Sequence, residues 1–153
     1  MASSAARAIA AIVTAALASG CLVGCTPDDV IAARLHDGTL EFVACSSLAN
    51  WTEVEVATSS KNPFGDAGGT AWLASGDAAD PLGVIVLYGS PPSGMQSDVE
   101  AKEIAAPGNY VKVQYGNRSQ GELLDSLFAQ FDGDQIREDS WLRSGSHHRE
   151  PCE

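Results

Sequence analysis

Residues 30 to 45 read Val-Ile-Ala-Ala-Arg-Leu-His-Asp-Gly-Thr-Leu-Glu-Phe-Val-Ala-Cys, two alternating apolar runs on either side of Asp37-Gly38. Asp-Gly supplies the two positive φ angles of a type I′ turn, whose twist matches that of the flanking strands, so the stretch is predicted to be a hairpin. Pairing outward from the turn sets Leu35 opposite Leu40, Ala33 opposite Phe42 and Ile31 opposite Ala44 on one face, while Arg34 meets Glu41 on the other. Hydrophobicity and charge agree on this register, and a slip of one residue would turn every apolar side chain to the wrong face. On the second face Ala32 meets Val43 and Val30 meets Cys45, an apolar patch that suits a strand entering a sandwich.

The rest of the chain continues in short strands. Trp51 to Thr58 alternates Val54 and Val56 against Glu53 and Glu55, a half-exposed strand whose charges discourage edge pairing. Residues 61–70, with Asn62, Pro63, Gly65, Asp66, Gly68 and Gly69, read as a loop, and Thr70 to Ser75 as a short strand. Gly83 to Tyr88 holds Val84, Ile85, Val86 and Leu87 in unbroken succession, the pattern of a central strand covered on both faces, and Pro91-Pro92 ends it. Tyr110 to Tyr115 alternates between Pro107-Gly108-Asn109 and Gly116-Asn117. Glu122 to Phe131 fits two periods: Leu124, Leu127, Phe128 and Phe131 lie at helical spacing, Leu127, Ala129 and Phe131 at strand spacing. Ile136 to Leu142 is the expected last strand, and the polar tail from Ser144 is expected to fray unless Cys152 pins it. About seven strands, with room for one short helix and no internal repeat, predict an all-β fold: a small immunoglobulin-like β-sandwich.

The leader tells where such a domain would live. Arg7 is followed by a 16-residue uncharged run from Ala8 to Val23, too short for a bilayer span of about 20 residues and built like a secretory signal. Leu22, Val23, Gly24 and Cys25 follow the lipobox in order, and the leader resembles the bacterial lipoprotein signal. The resemblance implies that residues 1–24 are removed and that Cys25 becomes the acylated N-terminus at the outer face of the membrane. Residues 25–29 would then be a tether and 30–153 a single β-rich domain. Two or three acyl chains anchor stably, since each buried methylene contributes roughly 0.8 kcal/mol. Cys21 is the competing acceptor, with Ala18 where the lipobox has Leu, and an ordinary secretory signal cut near Gly20 or Gly24 is the alternative.

Charge excludes one class of partner. The chain carries −11 overall, and because Arg7 is the only charged residue of the leader, the part from Cys25 onward carries −12, which opposes phosphate backbones and anionic lipid surfaces. Nucleic acid is excluded as a partner. The length from Cys25 to Glu153 suits one domain, burying about two-thirds of its unfolded surface. Two cysteines remain beyond the leader, Cys45 and Cys152, and an even pair in an oxidising compartment predicts one disulfide, stabilising by up to ~4 to 5 kcal/mol in the chain-entropy model. Metal ligation by these cysteines with His147, His148 and His36 is the competing reading, without the C-x-x-C spacing that marks a zinc site.

The early Cys45, the Ser140-Trp141-Leu142-Arg143 segment and the closing Pro151-Cys152 resemble small uncharacterised lipoproteins of high-GC bacteria, a resemblance that carries no catalytic residue with it. The candidates for chemistry are therefore judged on their own. His147 and His148 are a metal or acid/base pair on paper, but stand in a Ser/Gly/Arg-rich tail; Ser146 is their neighbour, and no G-x-S-x-G elbow occurs. Asp132, Asp134 and Glu138 resemble a calcium loop without its spacing. Trp51 and Trp72 read as core before they read as a sugar platform. The expectation is a non-enzymatic, cofactor-free, metal-free monomer of the cell envelope, anchored at the outer face of the membrane and binding an envelope protein or glycan. The alternative is an envelope hydrolase or metal-binding lipoprotein.

Overall fold

The computed structural model describes residues 30–62, 68–104 and 108–153. The leader, Cys21, Cys25 and the tether 25–29 lie outside the described residues, as do residues 63–67 of the predicted loop. The predicted hairpin is present. Strands β1 (Ile31–His36) and β2 (Thr39–Ala44) pair Leu35 with Leu40, Ala33 with Phe42, Arg34 with Glu41 and Ile31 with Ala44. Asp37 and Gly38 take φ of 49° and 75° at the turn, the two left-handed angles that the Asp-Gly sequence supplies.

Eight further strands follow: β3 (Glu53–Ser60), β4 (Gly69–Gly76), β5 (Ile85–Leu87), β6 (Met95–Val99), β7 (Asn109–Ser119), β8 (Glu122–Asp132), β9 (Trp141–Arg143) and β10 (Ser146–His148). They form two five-stranded sheets, ordered β10-β9-β1-β2-β5 and β6-β4-β3-β7-β8. Strands β1, β2 and β5 against β4, β3, β7 and β8 have the connectivity of an immunoglobulin-like sandwich, as expected. Strand β6 widens one sheet, and β9 with β10 widens the other.

Alternation puts one face of every long strand into the space between the sheets. Phe42 enters from β2 and meets Trp72 and Tyr115 edge-on, with ring centroids 6.3 and 6.0 Å apart, and Trp51 tilts against Tyr115 at 5.0 Å. Ile31, Val54, Val56, Val111 and Val113 fill the remainder, all essentially without exposure. Trp51 and Trp72 are thus core residues. A second, smaller cluster covers the outer face of the first sheet, where Ala32 and Val43 pack with Trp141. The Arg34 guanidinium lies 4.4 Å over the Trp141 ring and its Nε donates to Glu41 at 2.8 Å.

Several elements differ from the sequence reading. The apolar run Gly83 to Tyr88 is no central strand: β5 is three residues long and lies at the edge of its sheet, with Val86 2% exposed and Ile85 50% exposed. An unbroken apolar run requires a layer on each side to be covered twice, and only the inner side has one. Conversely, β3 with its two glutamates is central, between β4 and β7. Its charges point outward and are answered there, Glu53 by the Arg118 guanidinium at 2.9 and 3.0 Å and Glu55 by the Thr70 hydroxyl at 2.5 Å.

The ambiguous stretch after Glu122 is strand β8, because β7 runs on through Gly116-Asn117 to Ser119 and offers it a full ladder, from Tyr110 opposite Asp132 to Ser119 opposite Glu122. Gln120 and Gly121 close that hairpin with φ of 52° and 82°. The expected strand over Ile136 to Leu142 shortens to its last part. Before it the chain makes a 3-10 turn (Gly133–Gln135), the described chain's nearest approach to the anticipated short helix, and single bridges at Arg137 and Glu138. The tail does not fray at once. Ser144 and Gly145 turn it into β10, and a disulfide joins Cys152 to Cys45, Cα to Cα 5.2 Å across 107 residues.

Candidate functional site

The sandwich has two ends, distinguished by where the described chain begins. The near end holds Val30, the segment 45–52, the approach to β5 and the Gln120-Gly121 turn; the far end holds the Asp37-Gly38 turn and the start of β7. At the far end the sheets part enough to leave a cleft of about 420 Å³. Leu40 and Ile136 from the first sheet's side and Val111 from β7 form an apolar floor, and Lys102 and Glu103 stand at the rim. Tyr88 makes one wall. Its ring packs edge-on against Trp72 at 5.8 Å, and its hydroxyl lies 2.6 Å from the Lys102 carbonyl and 3.1 Å from that of Ala71. Burial raises the Tyr88 pKa, so the group stays a neutral donor. With the Lys102 N–H donating to the Ala71 carbonyl at 3.0 Å, these bonds fix the rim segment to β4. An apolar floor with a few convergent polar groups at its edge is the usual build of a recognition cleft. Its lining residues include no serine, cysteine or histidine.

The sequence-predicted chemistry is dispersed. His147 and His148 are successive residues of β10 and so project to opposite faces, which separates them as joint ligands. Ser146 is parted from His147 in the same way, and it is Ser140 whose hydroxyl lies 3.1 Å from the His147 Nδ1. That pair is exposed, and among the described residues no carboxylate is in reach of the other imidazole nitrogen. His36 stands at the Asp37-Gly38 turn, its Nδ1 3.4 Å from Asp139. The three acids of the calcium-loop resemblance also part. The Lys61 ammonium donates to Asp132 and, at 2.8 Å, to Asp134, whose other oxygen accepts the Gly108 N–H at 3.0 Å. The Lys61 hydrogen bond holds the Asp134 carboxyl below the usual range, and the Asp132 hydrogen bond raises Lys61. A side-chain cation thus occupies the place between these carboxylates, while Glu138 is elsewhere, accepting the Gly38 N–H at 3.2 Å. Cys45 and Cys152 are bonded to each other, and among the described residues no group of three or more His, Cys, Asp or Glu is placed to hold a metal ion.

No family model, curated protein or solved structure matches the chain. The site must therefore be read from its own chemistry.

Sequence reasoning missed the rim of the cleft. Lys102, Glu103 and Ile104 lie outside any periodic run, and it is the ties of Lys102 to Tyr88 and to β4 that bring them over the sandwich end. It missed as well the apolar character of the near end. Leu82 is 51% exposed and Leu124 59% exposed, with Val84 and Leu123 also well exposed, on two different sheets yet at one end of the molecule. Leu82 bridges to Ala44 at the end of β2, and Leu123 pairs with Arg118 beside the Gln120-Gly121 turn.

Proposed function

We propose that the protein is a non-enzymatic lipoprotein of the cell envelope, held at the outer face of the membrane by acylated Cys25 and binding another envelope protein through the far-end cleft. The observation that carries the reading is the position of that cleft, at the end of the sandwich opposite Val30, where the tether enters. An anchored domain so arranged offers its cleft away from the bilayer. The apolar floor of Leu40, Val111 and Ile136 suits an aliphatic side chain of a protein partner, and Lys102 and Glu103 give a polar rim that fixes its approach. A glycan partner is supported less, because a sugar platform needs an exposed aromatic face, and Trp51 and Trp72 are buried while the Tyr88 hydroxyl is held by two carbonyls.

The test is a photo-crosslinking residue placed at Thr39, on the cleft rim, and for comparison at Lys112, on the outer face of β7, in the native envelope. A discrete adduct at position 39, absent at 112 and lost on Ile104→Asp, is the expected result. Equal adducts at both positions, or none, would remove the cleft from the account. The rival hydrolase reading has the Ser140–His147 pair as its footing, and covalent labelling of Ser140 by a fluorophosphonate would promote it.

A further inference from the structure

Exposed leucines and valine at one end of a domain with a net charge of −12 beyond the leader call for an occupant. From the anchoring reading above, on which this rests, we infer that the near end of the sandwich docks on the bilayer surface that carries the anchor, seating Leu82, Val84, Leu123 and Leu124 among the lipid headgroups. The length of the tether argues for this occupant. Four residues separate Cys25 from Val30, and the five residue-to-residue steps between them span at most ~18 Å when fully extended. Strand β7, which runs from one end of the sandwich to the other, has 11 residues and a length of about 37 Å. To turn its far end to the membrane the domain would need roughly twice the tether it has. The near end is thus held within reach of the lipid whatever else the domain does.

Placement of the apolar groups fits that orientation. Val30 is bonded to Cys45, whose N–H donates to its carbonyl at 2.7 Å, so the tether enters at the end of the β1–β2 pair. Leu82 and Val84 lie beyond β2 on the first sheet, tied by the Gly83 N–H to the Ala44 carbonyl at 2.9 Å. Leu123 and Leu124 lie on β8 of the second sheet, which packs against β1 of the first. Leu82 and Val84 therefore lie at one place on this end and Leu123 and Leu124, which as successive strand residues project to the two faces of β8, at another, and two separated points define a plane of contact better than one.

Charge selects the kind of surface. Asp77, Asp80, Glu122 and Asp125 stand around these corners, with Asp80 engaged by the Ser47 hydroxyl at 2.5 Å and by the Leu82 N–H at 3.0 Å. They weaken the contact on an anionic bilayer, so the docking is strongest on a zwitterionic, net-neutral surface, where the contact is apolar and insensitive to salt. Apolar side chains at such a surface sink about 5 to 10 Å, into the boundary between headgroups and acyl chains.

The experiment uses the full acylated protein taken from its own membrane and reconstituted into phosphatidylcholine vesicles whose acyl chains carry bromine, a quencher of tryptophan. Reporters are Val84→Trp and Leu124→Trp at the near end and Thr39→Trp at the far end, read against the constant background of the buried Trp51, Trp72 and Trp141. The near-end reporters are expected to lose most of their added emission at low and high salt alike, and Thr39→Trp to keep it. The pair Leu82→Asp with Leu123→Asp should restore the emission of Leu124→Trp while the intact mass still shows the acyl chains. An acylated protein whose near-end reporters stay bright overturns the docking and leaves the anchor standing. Protection that depends on protein-to-lipid ratio and ignores bromine would mean that a second copy covers this end, which also overturns it. An intact mass without acyl chains overturns both readings.

Discussion

Tyr115 sits at the centre of the aromatic cluster, fully buried, and its hydroxyl finds no hydrogen-bond partner among the described residues. The two indoles around it are better served: the Trp51 N–H donates to the Ala79 carbonyl and the Trp72 N–H to the Ser97 hydroxyl at 3.1 Å. A buried polar group left without a partner costs about 1 to 3 kcal/mol, and burial alone drives the Tyr115 pKa far above that of a free tyrosine. Tyr115→Phe keeps the ring contacts with Phe42 and Trp51 and removes only the hydroxyl. It is therefore expected to raise unfolding stability by about 1 kcal/mol, the low end of that range, seen as a higher urea midpoint at unchanged slope. The alternation of Val111, Val113 and Tyr115 makes the inward direction of this side chain readable from sequence. Whether its oxygen meets a partner depends on the facing sheet, which no local pattern contains.

Strand β5 shows why composition misleads at the next scale. The four-residue apolar run that contains it, Val84 to Leu87, looks like a strand buried on both faces, yet only Val86 points between the sheets. Removing two methyl groups there by Val86→Ala is expected to cost about 2 kcal/mol, from roughly 0.8 kcal/mol per group plus the cavity left behind. Ile85→Lys, one residue away, is expected to change stability by no more than about 0.5 kcal/mol, because the site is on an exposed edge. Chemical unfolding of the two variants side by side reads the difference; equal losses would mean that β5 is covered twice after all. The neighbouring lesson concerns β8, whose apolar residues satisfy two periods. Tertiary pairing settles the choice, since β7 exposes a row of unpaired N–H and C=O groups that a strand can meet and a helix cannot.

For the molecule as a whole, the Cys45–Cys152 bridge closes the chain on itself, holding the C-terminal residues against the end of β2. Around it the Arg143 guanidinium donates to the Pro151 carbonyl at 3.2 Å. Replacing both cysteines by alanine is expected to lower stability by about 2 to 5 kcal/mol, because the unfolded chain regains the freedom of a 107-residue loop. Amide exchange should then quicken first in β10 and last in β2 and β7, whereas uniform protection would show that the tail holds without its bridge. The sequence by itself determined the β1–β2 register, the left-handed Asp37-Gly38 turn, the all-β class and the pairing of two distant cysteines. Each of these follows from backbone sterics, period-two alternation or the arithmetic of cysteines, which act over neighbours or need no geometry. Only the tertiary structure decided that the charged strand β3 is central and the apolar β5 peripheral, that Lys61 stands between Asp132 and Asp134, and that His147 faces Ser140. The same holds for the cleft at one end of the sandwich and for the exposed leucines at the other. These depend on which strands become neighbours across the sheets, a choice made by the packing of the whole core and written in no single segment.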